Sequence, residues 1–173
     1  MLVVSPGISD TERDNQSKGL TNVIELVSPF GGERLPDLDG RVIPDDTLGI
    51  LCVFAEARSE PYEGQVAVGS VVRNRTRLHF YSKGTVASTV FSPYQFSWAN
   101  TGDAQRVRVF EACRNDPAWA VASKAWFESE FTYPVGEDAL WYHSDLVHPE
   151  WAKASGIELV RRIGRHLFYR RAQ

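Results

Sequence analysis

The 173-residue chain has no long apolar run and little cysteine, and each of these absences excludes a class of protein. A membrane-spanning helix needs about 18 or more consecutive apolar residues, so we expect no membrane span. The two cysteines, Cys52 and Cys113, are too few for a disulfide framework, and each lies in an apolar helical pattern. We interpret them as buried free thiols. The lack of a Cys-x-x-Cys pair argues against a redox or zinc-ribbon protein.

Two further absences concern metals and export. His143 and His148 are five residues apart, His79 and His166 are distant in sequence, and no His-Glu-x-x-His pattern occurs. The sequence therefore predicts no metal site and no other cofactor. The segment Met1–Gly7 has neither a basic region nor a long apolar region, so it does not resemble a secretory signal. If the substrate lies outside the cytoplasm, we expect another route to deliver the protein.

Charge divides the chain into two parts. Residues 1–46 hold nine acidic and four basic side chains, a net charge of −5, while the whole chain carries −3, which leaves +2 for residues 47–173. Proline and glycine are frequent in the first part, at Ser5–Gly7, Ser28–Gly32 and Leu35–Gly40, which argues against long regular elements. We predict an acidic, extended or partly disordered leader over residues 1–46, with a short docking turn at Val23–Val27. Residues 47–173 are predicted to form one folded domain.

The most informative segment is a carboxylate-rich turn that follows an apolar run. Apolar residues recur at helical spacing over Leu48–Ala55, and Asp45 with the two residues after it supplies an N-cap and an acidic first turn. Glu56 then lies at or near the helix C-terminus, where the helix dipole and apolar neighbours both favour the protonated carboxyl. A general acid needs that environment, although a single Glu at a helix end is more often an exposed surface residue.

A second helix is predicted after the turn. Ser59 is a suitable N-cap, Pro61 fits the first turn, and apolar residues at helical spacing continue the pattern to about Arg75. Asn74 lies just beyond the buried face of this helix. Its amide can either satisfy backbone groups or bind a sugar, and the sequence leaves both roles open.

The segment Gln95-Phe96-Ser97-Trp98 alternates polar side chains with aromatic rings. Carbohydrate grooves use this combination, because sugar C–H faces stack on rings while hydroxyl groups need donors and acceptors. An aromatic loop that caps the core would have the same composition, so both interpretations stay open. Two scaffold helices are predicted next, at about residues 103–115 and from Asp116 through Trp126.

The end of the chain changes from helical to strand patterns. Residues 139–144 are strand-like, residues 148–151 predict a turn, and residues 159–169 predict a hairpin that bends at Gly164. Five arginines lie between positions 161 and 171. They would suit an anionic polymer, although a solvated strand face explains them equally well. We expect no nucleic-acid partner.

Four blocks of residues, in the right order, resemble the cell wall hydrolase family typified by the spore cortex-lytic enzyme SleB. The blocks are the segment from Ala55-Glu56-Ala57-Arg58-Ser59-Glu60 to Arg75, then Gln95–Trp98, Ala139–His143 and Ile163–Tyr169. The family's usual first block is Glu-Ala-Arg-Gly-Glu, so Ser59 stands where the family has a glycine. The resemblance covers about residues 48 to 170.

The resemblance implies a fold and a substrate. The fold would be mainly α (α+β), lysozyme-like and lytic transglycosylase-like, with a small β element near the C-terminus. The implied reaction is cleavage of the glycan strand of bacterial peptidoglycan between N-acetylmuramic acid and N-acetylglucosamine, in the periplasm or outside the cell. A catalytic domain without a secretion signal is similar to a phage endolysin or virion-associated enzyme, and we expect it to act as a monomer.

The number of carboxylates bears on the mechanism. Retaining and inverting glycosidases use two placed acids, whereas a lytic transglycosylase can use one. Glu56 is the predicted acid and base, with Glu60 as a second acid, an orienting group or the rival for the leading role. Sugar contacts are predicted from a set in which Phe96 and Trp98 line or support the groove: Asn74, Gln95, Phe96, Ser97, Trp98, Tyr142 and His143.

The sequence leaves three alternative functions open. One is a muramidase with a hydrolytic outcome. Another is an amidase or peptidase that acts on the stem peptide, for which the sequence offers no evident metal site or nucleophile. The third is a wall-binding module that does not cleave its ligand.

Overall fold

The computed structural model describes residues 35–36, 42–100, 109 and 116–173, and all structural statements below refer to these residues. Most of the predicted leader, the docking turn at Val23–Val27, nearly all of the predicted helix at 103–115 and Cys113 lie outside them. Four helices lie wholly within the described residues: α1 Asp45–Ala57, α2 Tyr62–Arg77, α3 Val86–Val90 and α4 Ala118–Glu128. The five strands are β1 Leu35–Pro36, β2 Val42–Ile43, β3 Ala139–Ser144, β4 Ile157–Ile163 and β5 His166–Arg171. Short 3₁₀ helices span Ser97–Ala99 and Glu150–Lys153.

The central helix is α1, which packs against α2, α3 and α4. Every residue from Leu48 to Phe54 is buried, so the apolar run covers the whole circumference and not a single stripe. The approach of α4 depends on Gly49, where a Cβ atom would overlap the indole ring of Trp126. The same indole donates its Nε1–H to Oδ1 of Asp46 at 3.1 Å. The prediction of a buried helix over this segment is confirmed.

The start of α1 differs from the prediction. Pro44 is the N-cap and Asp45 is the first helical residue. The Asp45 carboxylate accepts hydrogen bonds from the backbone N–H groups of Val86, at 3.0 Å, and Ala87, at 3.1 Å. These groups open α3, and a helix leaves its first N–H groups without intrahelical acceptors. Asp45 therefore stabilises the start of α3 through hydrogen bonds, and in its own helix it is an acidic first-turn residue.

Helix α2 begins later than predicted, because Pro61 and not Ser59 occupies the N-cap. It extends to Arg77, two residues beyond the predicted end. It packs against α1 and α4, and at Gly69 a Cβ atom would lie 2.7 Å from the Ser129 hydroxyl oxygen. A side chain at this position would force the helices apart, so the small residues of α2 serve close packing.

Strands β3, β5 and β4 form a three-stranded antiparallel sheet in that order, and β1 pairs with β2. The predicted hairpin is confirmed: its turn contains Gly164 with a φ of +57°, a conformation that favours glycine. Tyr142 pairs with Phe168 and lies on the side of the core, whereas neighbouring His143 contacts Trp151 on the opposite face. The prediction of a mainly helical domain with a small C-terminal β element is confirmed.

Four of the five C-terminal arginines pair with carboxylates. The pairs are Arg161 with Glu63 at 2.8 Å, Arg162 with Asp145 at 2.6 Å, Arg165 with Asp145 at 3.6 Å and Arg170 with Glu158 at 2.6 Å. Arg171 instead lies over the ring of Phe80, 5.8 Å from its centroid. This arrangement favours the solvated strand face over a patch that binds an anionic polymer. None of the helices in the described ranges has the length and hydropathy to cross a bilayer.

Candidate active site

Glu56 is the penultimate residue of α1, as predicted. Its Oε2 atom accepts a hydrogen bond from the phenol O–H of Tyr142, at 3.1 Å. Burial raises the pKa of the Glu56 carboxyl, and this effect exceeds the opposing effects of the Tyr142 bond and the Arg75 charge. The residue as a whole keeps part of its surface exposed. Glu56 is therefore a partly exposed residue whose buried carboxyl holds its proton to a higher pH than an ordinary glutamate.

Two acidic groups that interact with Glu56, the Cys52 thiol and the Tyr142 phenol, keep their protons and are therefore neutral. Burial, and then the charge of Glu56, raise the pKa of the Cys52 thiol and of the Tyr142 phenol well above their ordinary values. Both groups are therefore protonated at neutral pH, and Tyr142 can donate to the carboxylate. Cys52 is buried and unbridged.

Arg75 supplies a positive charge that acts on the Glu56 carboxyl. Its Nε donates to the Leu140 carbonyl oxygen at 2.7 Å, and its guanidinium lies 5.1 Å from the centroid of the Phe96 ring. Burial lowers its pKa, and the charges around it, including that of Glu56, act in the opposite direction. The sequence pattern predicts for Arg75 only a position near the end of a helix. Its position three residues after Val72 continues the buried face, and that spacing was the available signal.

Glu60 has different surroundings. It lies in the turn between α1 and α2, and its Oε2 accepts a hydrogen bond from the backbone N–H of Arg165 at 2.8 Å. A Cβ atom at Gly164 would overlap this carboxylate, so the turn between β4 and β5 is fitted closely around it. Glu60 therefore joins two turns that are far apart in sequence.

His166 lies next to both carboxylate environments. It is only 7% exposed, and its ring centroid is 5.1 Å from that of Tyr142. Burial lowers its pKa, and the charge of Glu60 opposes this. Its Nδ1 atom is enclosed without a hydrogen-bond partner among the described residues. In the same residues, no group of three or more His, Cys, Asp or Glu side chains is placed to hold a metal ion.

The amide of Asn74 is used by the backbone. Asn74 is 1% exposed, and its Nδ2 donates to the carbonyl oxygens of Gly136 and Ala139, each at 3.1 Å. Of the two roles left open by the sequence, the structure favours the structural one. Asn74 fixes the start of β3, the strand that carries Tyr142.

The aromatic block divides into buried rings and accessible polar groups. Phe96 and Trp98 are 2% and 3% exposed, so they support the site from within and do not line a groove. Phe96 lies against Arg75, and Trp98 lies close enough to Cys52 to lower the pKa of its thiol. Ser97 is exposed and Gln95 is partly exposed, so both stay available for sugar contacts.

His143 faces away from Glu56. Its Nδ1 is 2.8 Å from the Ser144 carbonyl oxygen, its Nε2 is 2.9 Å from the Tyr169 hydroxyl, and its ring contacts Trp151. Successive strand residues point to opposite faces, so Tyr142 and His143 cannot both face the same carboxyl. The structure brings Tyr142 to Glu56 and leaves His143 in the aromatic cluster behind the strand.

Residues 59–169 match the model of a family described as cell wall hydrolase. The match begins three residues after Glu56, so it contains Glu60 and Tyr142 but not Glu56 itself.

Curated relatives include spore cortex-lytic enzymes. That of Bacillus subtilis is 33% identical over 117 residues, which cover 67% of this chain and 34% of the relative. That of Oceanobacillus iheyensis is 28% identical over 123 residues, which cover 67% of this chain and 38% of the relative. The chain therefore spans about a third of the length of the curated relatives it matches.

Solved structures with the same fold are catalytic domains. The catalytic domain of the germination-specific lytic transglycosylase SleB from Bacillus anthracis has a TM-score of 0.55 and 28% identity, over 72% of this chain and 92% of that one. The Bacillus cereus SleB catalytic domain has a TM-score of 0.54 and 28% identity, over 80% and 98%. The predicted lysozyme-like fold class is confirmed by these neighbours. Since the family model matches well over half of the chain, this protein belongs to the cell wall hydrolase family.

Proposed function

We propose that the protein cleaves the glycan strand of bacterial peptidoglycan between N-acetylmuramic acid and N-acetylglucosamine as a lytic transglycosylase, with Glu56 as its single acid and base. The family of this chain and its likeness to the lytic transglycosylase SleB of Bacillus anthracis support this reaction. The observation that carries the proposal is the desolvated Glu56 carboxyl in hydrogen-bond contact with Tyr142. A raised pKa on a residue that keeps part of its surface exposed is what a general acid requires.

In the first step, the protonated Glu56 carboxyl gives its proton to the glycosidic oxygen. The bond from this oxygen to C1 of N-acetylmuramic acid breaks, and N-acetylglucosamine leaves with the proton. The raised pKa favours the protonated carboxyl, which is the form that this step needs. Once Glu56 is ionised, the Tyr142 hydroxyl and the Arg75 charge stabilise the carboxylate.

In the second step, the Glu56 carboxylate removes the proton from the 6-hydroxyl of the same N-acetylmuramic acid. The freed oxygen bonds to C1 and closes a 1,6-anhydro ring. The proton returns to Glu56, no water is consumed, and the acid is ready for another cycle. One carboxyl therefore suffices for both steps.

The contacts of Glu60 support assigning this role to Glu56. The Glu60 carboxylate is engaged by the backbone N–H of Arg165 and enclosed by the turn at Gly164. We therefore propose that Glu60 positions the two turns and does not transfer protons. For sugar contacts we retain Gln95 and Ser97, whose side chains are accessible, together with Tyr142 beside the acid.

Mass analysis of the fragments released from purified sacculi tests the reaction. The proposal expects muropeptides with 1,6-anhydro-muramyl ends, which are one water lighter than the reducing ends a muramidase would leave. Reducing ends would replace the transglycosylase by a muramidase, and free stem peptides would indicate an amidase or peptidase. Binding to sacculi without release of any fragment would indicate a wall-binding module.

We further propose that the protein acts on the wall as a monomer and, as an endolysin does, from a phage-infected cell. Sedimentation of the active protein tests the first point, since a monomer predicts one species near the 19.4 kDa of the chain. The second point is tested by making the protein inside host cells. These cells should lyse only after their membrane is permeabilised. Lysis without permeabilisation would contradict it.

A further inference from the structure

A small pocket lies at one end of the C-terminal sheet, away from the turn that holds Glu60. It is lined by Leu78, Phe80, Asp138, Leu140 and Arg171, with a volume of about 210 Å³. These residues come from the end of α2, the start of β3 and the end of β5. Nothing in the catalytic scheme above uses them.

The size of the pocket limits its ligand. Pockets for whole small-molecule ligands usually measure about 300–1,000 Å³, and this one is smaller. It can hold one or two amino-acid side chains but not a run of sugar rings. Leu78 is 46% exposed and Phe80 lies beside it, so the pocket offers apolar surface for alkyl groups.

The charges at the pocket favour a ligand that carries charges of both signs. Arg171 is exposed and lies over the Phe80 ring, and among the described residues it forms no ion pair, unlike the four other C-terminal arginines. In the same part of the chain, Asp138 pairs with Arg170 at 3.6 Å, while Arg170 has a shorter contact to Glu158. A guanidinium without a carboxylate partner among the described residues and a weakly engaged carboxylate would recognise a carboxylate and an ammonium group. Neutral sugars need neither.

The pocket is close to the proposed active site. The Arg75 guanidinium is 6.0 Å from the centroid of the Phe80 ring, which lines the pocket, and the Arg75 charge acts on the Glu56 carboxyl. A charge acts on a carboxyl over about 4–6 Å, so the pocket and the acid are roughly 10 Å apart, although Arg171 and Tyr142 lie on opposite faces of the sheet. Three extended residues of a peptide span this distance. A peptide attached to the sugar beside the cleaved bond can therefore reach the pocket.

We propose that this pocket binds the stem peptide that peptidoglycan carries on its muramic acid residues, with Arg171 pairing a peptide carboxylate and Asp138 an ammonium group. The inference rests on the proposed function, because it needs the glycan strand at Glu56. It adds a preference: strands that keep their stem peptides are better substrates than strands that have lost them.

The test compares two substrates with the full chain. One is a preparation of glycan strands with stem peptides, and the other is the same preparation after an amidase has removed them. We expect a KM about three- to tenfold lower for the peptide-bearing strands. Arg171→Gln and Asp138→Asn should lose that advantage and cleave the bare strands at the wild-type rate. Equal KM values for the two substrates in the wild-type protein would overturn the proposal.

A matched control is Arg161→Gln, which also removes one positive charge from the sheet but pairs with Glu63 outside the pocket. It should keep the preference, and if it loses the preference as Arg171→Gln does, net charge and not the pocket is responsible. Titration of the wild-type protein with a synthetic stem tetrapeptide gives a second readout that needs no cleavage. Amide shifts should centre on Leu78 and Leu140, and shifts elsewhere or none would refute the site. Failure to cleave either substrate, with peptide binding intact, would reject the proposed function alone.

Discussion

Glu56 and Glu60 are the same residue type four positions apart, and the fold gives them different surroundings. The Glu56 carboxyl lies among buried groups and meets a neutral phenol, whereas the Glu60 carboxylate meets a backbone N–H at a tight turn. Burial favours the protonated acid in the first case. In the second case the carboxylate is a structural link between two turns. The chemical role of each glutamate in this motif therefore depends on the groups from distant parts of the chain that contact its carboxyl.

The largest expected effect is on the rate. Glu56→Gln should lower kcat at least about 100-fold, because general acid–base catalysis contributes roughly 10²- to 10⁴-fold. Glu60→Gln should stay within about tenfold of the wild type, since Gln keeps an acceptor for the Arg165 N–H. The measurement is the initial rate at which anhydro-muramyl ends appear. The reverse order of the two variants would transfer the catalytic role to Glu60.

The variants Glu56→Gln and Glu60→Gln should also differ in thermal stability. The folded-state pKa of Glu56 is raised above the value of about 4.3 for an unfolded glutamate. Its contribution to stability is therefore present below that value and is lost as the pH rises through the folded pKa. Glu56→Gln removes this loss, so its melting temperature should exceed that of the wild type at pH 7, with no difference near pH 4.

Glu60→Gln should act in the opposite direction. It replaces a charge-assisted hydrogen bond by a neutral one, and the expected cost is about 1 kcal/mol at pH 7. Thermal unfolding of both variants at pH 4 and pH 7 measures the contrast. If both variants destabilise the protein equally at pH 7, Glu56 is not held in a desolvated state.

A smaller effect is expected from Tyr142→Phe. The Tyr142 hydrogen bond lowers the pKa of Glu56, so its loss should raise that pKa further. The high-pH limb of the kcat profile should then move to higher pH, while Glu56 remains able to act. Tyr169→Phe is the control, because its hydroxyl contacts His143 on the other face of the sheet. A shifted profile in the control as well would show that the effect is general.

The smallest expected effect is from Ser59→Gly. Outside glycine, the described residues with positive φ are His79, Tyr81 and Tyr94, so Ser59 does not need the conformational freedom of glycine. The serine that replaces the family's glycine therefore leaves the turn between the two carboxylates unstrained. Activity should be unchanged and stability should change by less than about 0.5 kcal/mol. A gain of tenfold in rate would mean that Ser59 holds the carboxylates in a less active arrangement.

The sequence predicted what depends on local spacing. The helix that carries Glu56 near its C-terminus and the hairpin at Gly164 were both predicted from their patterns. The pairing of Glu56 with Tyr142 joins residues 86 positions apart, and spacing along the chain carries no information on such contacts. The resemblance to a family pointed to both residues without indicating that they touch.

Amino-acid composition alone could not predict which aromatic residues line a sugar-binding groove. Phe96 and Trp98 would be rings of a sugar site or rings of a core, and only burial distinguishes these roles. Alternation along β3 decided the case of His143, because one strand residue can face the acid only if its neighbour turns away. The boundary of the leader at residue 46 stays a prediction.

The contact of Asp45 with the start of α3 bears on where the chain can be shortened. A truncated form that begins at residue 47 would lose the acceptor for two backbone N–H groups, those of Val86 and Ala87. Helix α3 has only five residues and packs on α1 and α2, so it depends on that acceptor more than a long helix would. A shortened protein that begins before residue 35 keeps both this carboxylate and the β1–β2 pair. A truncated protein should therefore keep Asp45, and its first residue must lie before the predicted leader boundary at residue 46.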